Sequence, residues 1–323
     1  MAFQKVTSAM VSPTLYRRAI PAGARISRWT GPDGWDFRYF DWPAEGSPRG
    51  TILFQAGRGD LFEKYLEAIA HWHGQGWSIT SLDWRGQGGS GRVSPDPHVG
   101  DIDDFATFVS DIRAFWAEWS PTAIGPVVAI GHSMGGHLLL RAMVEGAITP
   151  VAAVLSAPML GLHSPIGAML GERLARTLGG VGNASRPAWK TSERPATSET
   201  RLALLTHDPS RYDDETFWHQ THPELLLGPP SWRWLIKAFA STRSLRADPR
   251  LRTMRVPVLM LVADADKLVD AKAALAVAGR LPDARVVRFG KEAAHELLRE
   301  VDPVRNRAIG EIDLFLAARA PRS

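Results

Sequence analysis

The chain of 323 residues contains no cysteine. That removes disulfides, thiolate metal sites and a cysteine nucleophile together, while leaving the compartment open. Also missing is any run near the ~18 apolar residues that a bilayer-spanning helix needs. The N-terminal segment has one early lysine, a stretch broken by Pro13 and then Arg17-Arg18, so it lacks the apolar core and cleavage site of a secretory leader. There is no lysine-rich tail, no basic helix, no internal repeat and no low-complexity tract. A cytoplasmic protein, at most peripheral at the inner face of a membrane, is the simplest expectation.

The charge that is present amounts to a net +4, spread along the chain. That argues against nucleic acid as a partner and is compatible with no more than a weak attraction to an anionic membrane surface. Hydrophobic content of 45% and charged content of 22% are ordinary for a packed soluble protein. The length suits one α/β domain carrying an inserted segment better than two full domains. Oligomeric state cannot be read from these features.

From about residue 50, short β-prone apolar runs alternate with helical stretches, which predicts a mostly parallel sheet with helices on both faces. Thr51 to Ala56, Ser78 to Leu82, Pro126 to Ile130, Val151 to Ser156, Val256 to Val262 and Arg285 to Phe289 read as strands. Phe62 to Gln75 reads as a crossover helix, and Ile102, Phe105, Val109, Ile112 and Trp116 form the apolar stripe of another, stopped by Pro121. Between about Pro158 and Pro249 the alternation gives way to Gly, Pro, Ser and Arg with scattered Leu, Met and Trp. The expected organisation is therefore a core of residues 1–157 and 251–323 with a helical lid of residues 158–250 inserted in it.

Gly131-His132-Ser133-Met134-Gly135 lies between the apolar run Pro126 to Ile130 and the helical Gly136 to Met143. A G-x-S-x-G turn between strand and helix is the setting of a nucleophile elbow, in which a tight turn pushes the serine out to attack a carbonyl. A serine hydroxyl is a weak nucleophile, so Ser133 needs a histidine base and a carboxylate to orient that base. The carboxylate is expected after a late strand, where Asp264, Asp266 and Asp270 compete for the role. His295 follows the last strand and is the only histidine beyond residue 222, so position and elimination both select it. The backbone N–H of Met134, next to the nucleophile, is one expected oxyanion donor.

Gly57-Arg58-Gly59, the segment Leu82 to Arg92, the elbow and Ala265-Asp266-Lys267-Leu268-Val269-Asp270 together resemble the α/β hydrolases of the lysophospholipase and monoacylglycerol lipase branch. Thr206-His207-Asp208-Pro209 and Ser231-Trp232-Arg233-Trp234 carry the same likeness, which covers nearly the whole chain. The resemblance implies an α/β-hydrolase fold with an inserted lid and esterase activity on single long acyl chains. It implies Asp266 as the triad acid, with Asp264 the runner-up, and the backbone N–H of Arg58 as second oxyanion donor. It implies a small-molecule ester or lipid as partner, with no cofactor and no metal. Ala56-Gly57 departs from the His-Gly of monoglyceride lipases.

Other features admit two readings. Gly86, Gly88, Gly89 and Gly91 read as a structural turn rather than a phosphate loop, with Asp83 and Arg85 pairing or holding it near the nucleophile. His219 and His222 near Asp213 and Asp214 are a conceivable metal group, while His71 and His73 point apart. Arg243, Arg246, Arg250, Arg252 and Arg255 make either a solvated hinge or a phosphate site. Trp189, Trp218, Trp232 and Trp234 read as a small lid core that can also wall an acyl pocket. Two further functions fit the same residues: a non-catalytic lipid or small-molecule binder, and an acyltransferase to an alcohol. A binder has no reason to hold Ser133, Asp266 and His295 within hydrogen-bond reach.

Overall fold

The computed structural model describes residues 15–163, 168–180, 182–189 and 199–322. A short helix α1 (Leu15–Arg18) precedes the hairpin β1 (Arg25–Thr30) and β2 (Asp36–Trp42). Then come β3 (Gly50–Gln55), α2 (Leu66–Gly74), β4 (Trp77–Leu82), α3 (Phe105–Trp119), β5 (Val127–His132), α4 (Ser133–Val144) and β6 (Ala152–Ser156). Among the described residues four helices follow: α5 (Ala168–Gly179), α6 (Glu199–Leu205), α7 (Pro209–Thr221) and α8 (Trp232–Ala247). The chain returns to the sheet with β7 (Val258–Ala263), α9 (Ala271–Ala278), β8 (Ala284–Phe289) and α10 (Asp302–Arg319). The eight strands lie in the order β1-β2-β4-β3-β5-β6-β7-β8, antiparallel at β1, β2 and β4 and parallel from β4 onward.

β3 and β7 are buried at every position because both faces of the sheet are covered, and β7 is accordingly a continuous apolar run. Alternate residues feed two cores. Ile52, Phe54, Val128, Ile130, Leu259 and Leu261 pack toward α2 and α10, while Leu53, Ala129, Met260 and Val262 face α3, α4, α8 and α9. α3 is capped by Asp104, whose carboxylate accepts from the Ala106 amide at 2.9 Å, so Ile102 belongs to the loop before the helix. The crossover after β3 opens as a 3₁₀ turn over Phe62–Tyr65 before α2 begins.

The β1–β2 hairpin lies outside the sequence expectation. Its first strand is largely exposed and carries Arg25, Ser27 and Arg28, and its second buries Arg38, so neither reads as a clean apolar run. Asp83 and Arg85 do not pair with each other: Asp83 binds Arg38 at 2.6 Å, and Arg85 binds Asp111 at 2.7 Å and Asp33 at 2.7 Å. Of the four tryptophans expected to share a small core, Trp234 joins the α3–α4 cluster and Trp218 the α2–α10 cluster, so these two lie apart. Arg243 and Arg250 are exposed and paired with Glu172 and Asp248. Among the described residues no helix is long and apolar enough to cross a membrane.

Candidate active site

β5 ends at His132, and Ser133 starts α4 with φ +51, a left-handed conformation that strains a non-glycine residue by about 1–3 kcal/mol. The two glycines make that turn possible. A Cβ on Gly135 would lie 2.4 Å from the carbonyl oxygens of Gln55 and Ala56, and one on Gly131 would lie 2.8 Å from the Gly136 nitrogen. Both contacts are with backbone, which cannot swing aside, so the packing of α4 against β3 depends on bare glycine backbone.

The Ser133 Oγ lies 2.9 Å from Nε2 of His295, and the other imidazole nitrogen, Nδ1, lies 2.6 Å from Oδ2 of Asp266. These side chains arrive from three loops at the carboxyl ends of β5, β7 and β8. The three competing aspartates are now distinguished by their partners. Asp264 faces outward and pairs with Arg288 at 2.9 Å, and Asp270 caps α9 through the amides of Lys272 and Ala273. Asp266 turns inward, and its second oxygen accepts from the amides of Leu268 at 2.7 Å and Val269 at 3.1 Å.

Burial opposes charge on His295, but the Asp266 carboxylate, by charge and hydrogen bond, outweighs it, with Glu296 and Asp60 adding to the effect. The imidazole is therefore held above the ordinary histidine range. Burial likewise works against ionised Asp266, and the charge and hydrogen bond of His295 with the two amides reverse this and lower its pKa. His132, with its ring centroid 4.7 Å from that of His295, is pushed down to about 4 by burial and then by the charge of His295, so it stays neutral.

Arg58 lies in the loop after β3, where Gly57 donates to Asp60 at 3.2 Å and Gly59 donates to the Gln87 side chain. Its guanidinium donates to the Gly228 carbonyl at 2.5 Å and sits 5.3 Å from the Trp234 ring centroid, so the side chain grips the segment before α8. The Met134 amide lies in the first turn of α4, where a helix leaves N–H groups without an intrahelical acceptor. Arg58, Ser133 and His295 thus line one cavity, while Asp266 reaches it only through His295 and Met134 only through its neighbour Ser133.

That cavity, about 400 Å³, reaches from Arg58, Ser133 and His295 between Met159, Leu162, Leu174, Leu205, Trp232, Trp234 and Phe239. Trp189 also lines it, whereas Trp218 and His137 do not. His137 is instead buried against Ser241 at 2.7 Å. His219, His222, Asp213 and Asp214 do not converge, since Asp214 binds Arg17 and Arg18 and His222 binds Glu224. Among the described residues one other group of three ligand-type side chains gathers within 4.8 Å: Asp60, His132 and Glu296. The Lys64 ammonium sits against both of its carboxylates. Sequence reasoning misses this cluster, because Lys64, Asp60 and Glu296 carry no motif and charged residues read as solvent-facing.

Lysophospholipase L2 of Escherichia coli K12 is 25% identical over 308 residues, covering 91% of this chain and 88% of its own. Human monoglyceride lipase is 26% identical over 281 residues, covering 86% of each chain. The crystal structure of a soluble variant of monoglyceride lipase from Saccharomyces cerevisiae superposes with a TM-score of 0.72 at 19% identity, over 92% of this chain and 95% of that one. A profile described as serine aminopeptidase, S33 matches residues 46–302. The chain therefore has the α/β-hydrolase fold and belongs to the serine aminopeptidase S33 family.

Proposed function

We propose that this protein hydrolyses carboxylic esters of single long acyl chains, lysophospholipid or monoacylglycerol, through an acyl-enzyme on Ser133. The observation that carries the reading is the unbroken chain Ser133–His295–Asp266, at 2.9 and 2.6 Å, opening on an apolar cavity. A binder would have no use for that spacing. The cavity volume is ordinary for a small-ligand site, and its aromatic and aliphatic walls favour an acyl chain over a polar ester.

In the proposed reaction Ser133 Oγ attacks the ester carbonyl while Nε2 of His295 takes the hydroxyl proton. The amides of Arg58 and Met134 hold the resulting oxyanion, each worth on the order of 100- to 1000-fold in rate. Collapse expels the alcohol, which takes the proton back from His295, and water then repeats the sequence to free the fatty acid. Asp266 keeps Nδ1 as the protonated nitrogen and steadies the imidazolium. Residues 158–250 serve as a lid that excludes bulk water, and no metal or cofactor enters the scheme. The proposed place of action is the cytoplasm or the inner membrane face, with any membrane contact weak and peripheral.

Because a general base must be neutral, activity falls as pH drops through the raised pKa of His295. The acidic limb of kcat/KM is expected above the ordinary histidine value of about 6.5. A profile with full activity well below that value would contradict the reading. The substrate class is tested by a panel of lysophosphatidylcholine, monoacylglycerol, triacylglycerol and an aminoacyl p-nitroanilide. Fatty acid release from the two single-chain lipids is expected to dominate. Turnover of the anilide alone would overturn the proposal.

A further inference from the structure

Lys64 lies in the 3₁₀ turn that leads into α2, and its side chain is 2% exposed. Its ammonium meets three carboxylates: Asp60 at 2.7 Å, Glu215 at 2.8 Å and Glu296 at 2.8 Å. An ammonium has three N–H donors and no acceptor, so this company saturates it. Each carboxylate comes from a different part of the site. Asp60 ends the loop that presents Arg58, Glu296 directly follows His295, and Glu215 lies on α7 in the segment between β6 and β7.

The contacts continue outward from each carboxylate. Oδ2 of Asp60 accepts from the Gly57 amide at 3.2 Å and from the Tyr65 hydroxyl at 2.7 Å. The Glu296 amide donates to the Leu205 carbonyl at the end of α6 at 2.8 Å, and its carboxylate also binds Arg299. Glu215 binds Arg201 at 2.5 Å and lies 3.7 Å from Arg299. Three cations, Lys64, Arg299 and the partly exposed Arg201, thus balance three buried carboxylates at the edge of the cavity.

The sheet cannot supply this connection. β3, which carries the oxyanion loop, and β8, which carries the histidine loop, are separated by β5, β6 and β7. Lys64 bridges the two loops directly, holding Asp60 of one and Glu296 of the other, the latter 232 positions from it in the chain. We propose that Lys64 is a positioning residue: its ammonium sets the distance between the oxyanion donors and the His295 imidazole and ties that distance to the seating of α7. The claim rests on the esterase reading above. It adds a residue that touches no reacting atom but governs where two reacting groups stand. A misplacement of about 1 Å in such an arrangement can cost on the order of 100-fold in rate.

The test compares Lys64→Met with the charge-balanced pair Lys64→Met/Asp60→Asn, which leaves Glu215 with Arg201 and Glu296 with Arg299, using a short soluble p-nitrophenyl ester. Both are expected to lose about 100-fold in kcat with KM changed by less than about threefold, because binding of so small a substrate does not depend on the loop spacing. The paired variant should keep a thermal midpoint near that of the wild type, since it leaves no unmatched buried charge. Wild-type kcat in the paired variant would overturn the inference and reduce Lys64 to charge balance. A raised KM at unchanged kcat would overturn it too, by assigning Lys64 to substrate binding. If neither lysine variant folds, Asp60→Asn carries the test. It keeps an acceptor for Gly57 and Tyr65 but loses the ion pair, and the same loss of about 100-fold is expected, with full kcat overturning the inference. An inactive wild type would instead count against the esterase reading itself, so the two failures are distinguishable.

Discussion

Ser133→Ala is expected to lower kcat for ester hydrolysis by about 10⁶-fold, the scale seen when a triad serine is lost. The loss is chemical, not structural. Alanine removes only the Oγ that faces His295 at 2.9 Å, and the strained backbone at φ +51 is no worse for alanine than for serine. The thermal midpoint should therefore stay close to that of the wild type. Residual activity of about 10³- to 10⁴-fold over water is expected, because the amides of Arg58 and Met134 and the apolar cavity remain. A variant that keeps a tenth of wild-type activity would remove Ser133 from the chemistry.

The second large effect separates two aspartates that lie two residues apart. Asp266→Asn is expected to cost about 10⁴ in kcat, since an amide at 2.6 Å from Nδ1 no longer selects the tautomer that leaves Nε2 free to accept a proton. It also removes the charge that keeps the His295 pKa high, so the acidic limb of the pH profile should move to lower pH as the rate collapses. Asp264→Asn should leave kcat within about twofold, because an exposed pair such as Asp264–Arg288 contributes at most about 1 kcal/mol to stability and nothing to the site. Equal losses in the two variants would contradict the assignment of the acid.

The three residues of the proposed triad differ in how plainly the sequence announces them. Ser133 is legible because the turn chemistry is local: two glycines, an apolar strand and a helix lie within about twenty residues. His295 is legible because the chain has no other histidine after residue 222. The acid is not legible from the residues alone. Asp264, Asp266 and Asp270 share a loop, and only its path sends one carboxylate to the imidazole, one to Arg288 and one to a helix cap. There the family resemblance supplies what spacing cannot.

The fold divides along the same line. Central strands such as Val258–Ala263 are written as apolar runs because both faces are covered, and the order of strands and helices follows from them. The β1–β2 hairpin escapes because its edge strand is solvent-exposed and its partner buries Arg38 against Asp83 and Glu63. A buried charge defeats a reading based on polarity, since the sequence cannot show the partner that makes burial tolerable. The same reason hides Lys64, whose partners Asp60, Glu215 and Glu296 come from three separate loops and helices. Local chemistry is legible in a single sequence, whereas long-range charge matching becomes visible only in three dimensions.

The central claim is that the hydroxyl at position 133 is made nucleophilic by the imidazole at 295. Mass spectrometry of the protein after treatment with a fluorophosphonate measures this most directly. One covalent phosphonate per chain is expected, located on the peptide that contains Ser133 and absent from the Ser133→Ala variant. An unmodified protein, or a phosphonate carried on another residue, would contradict the account.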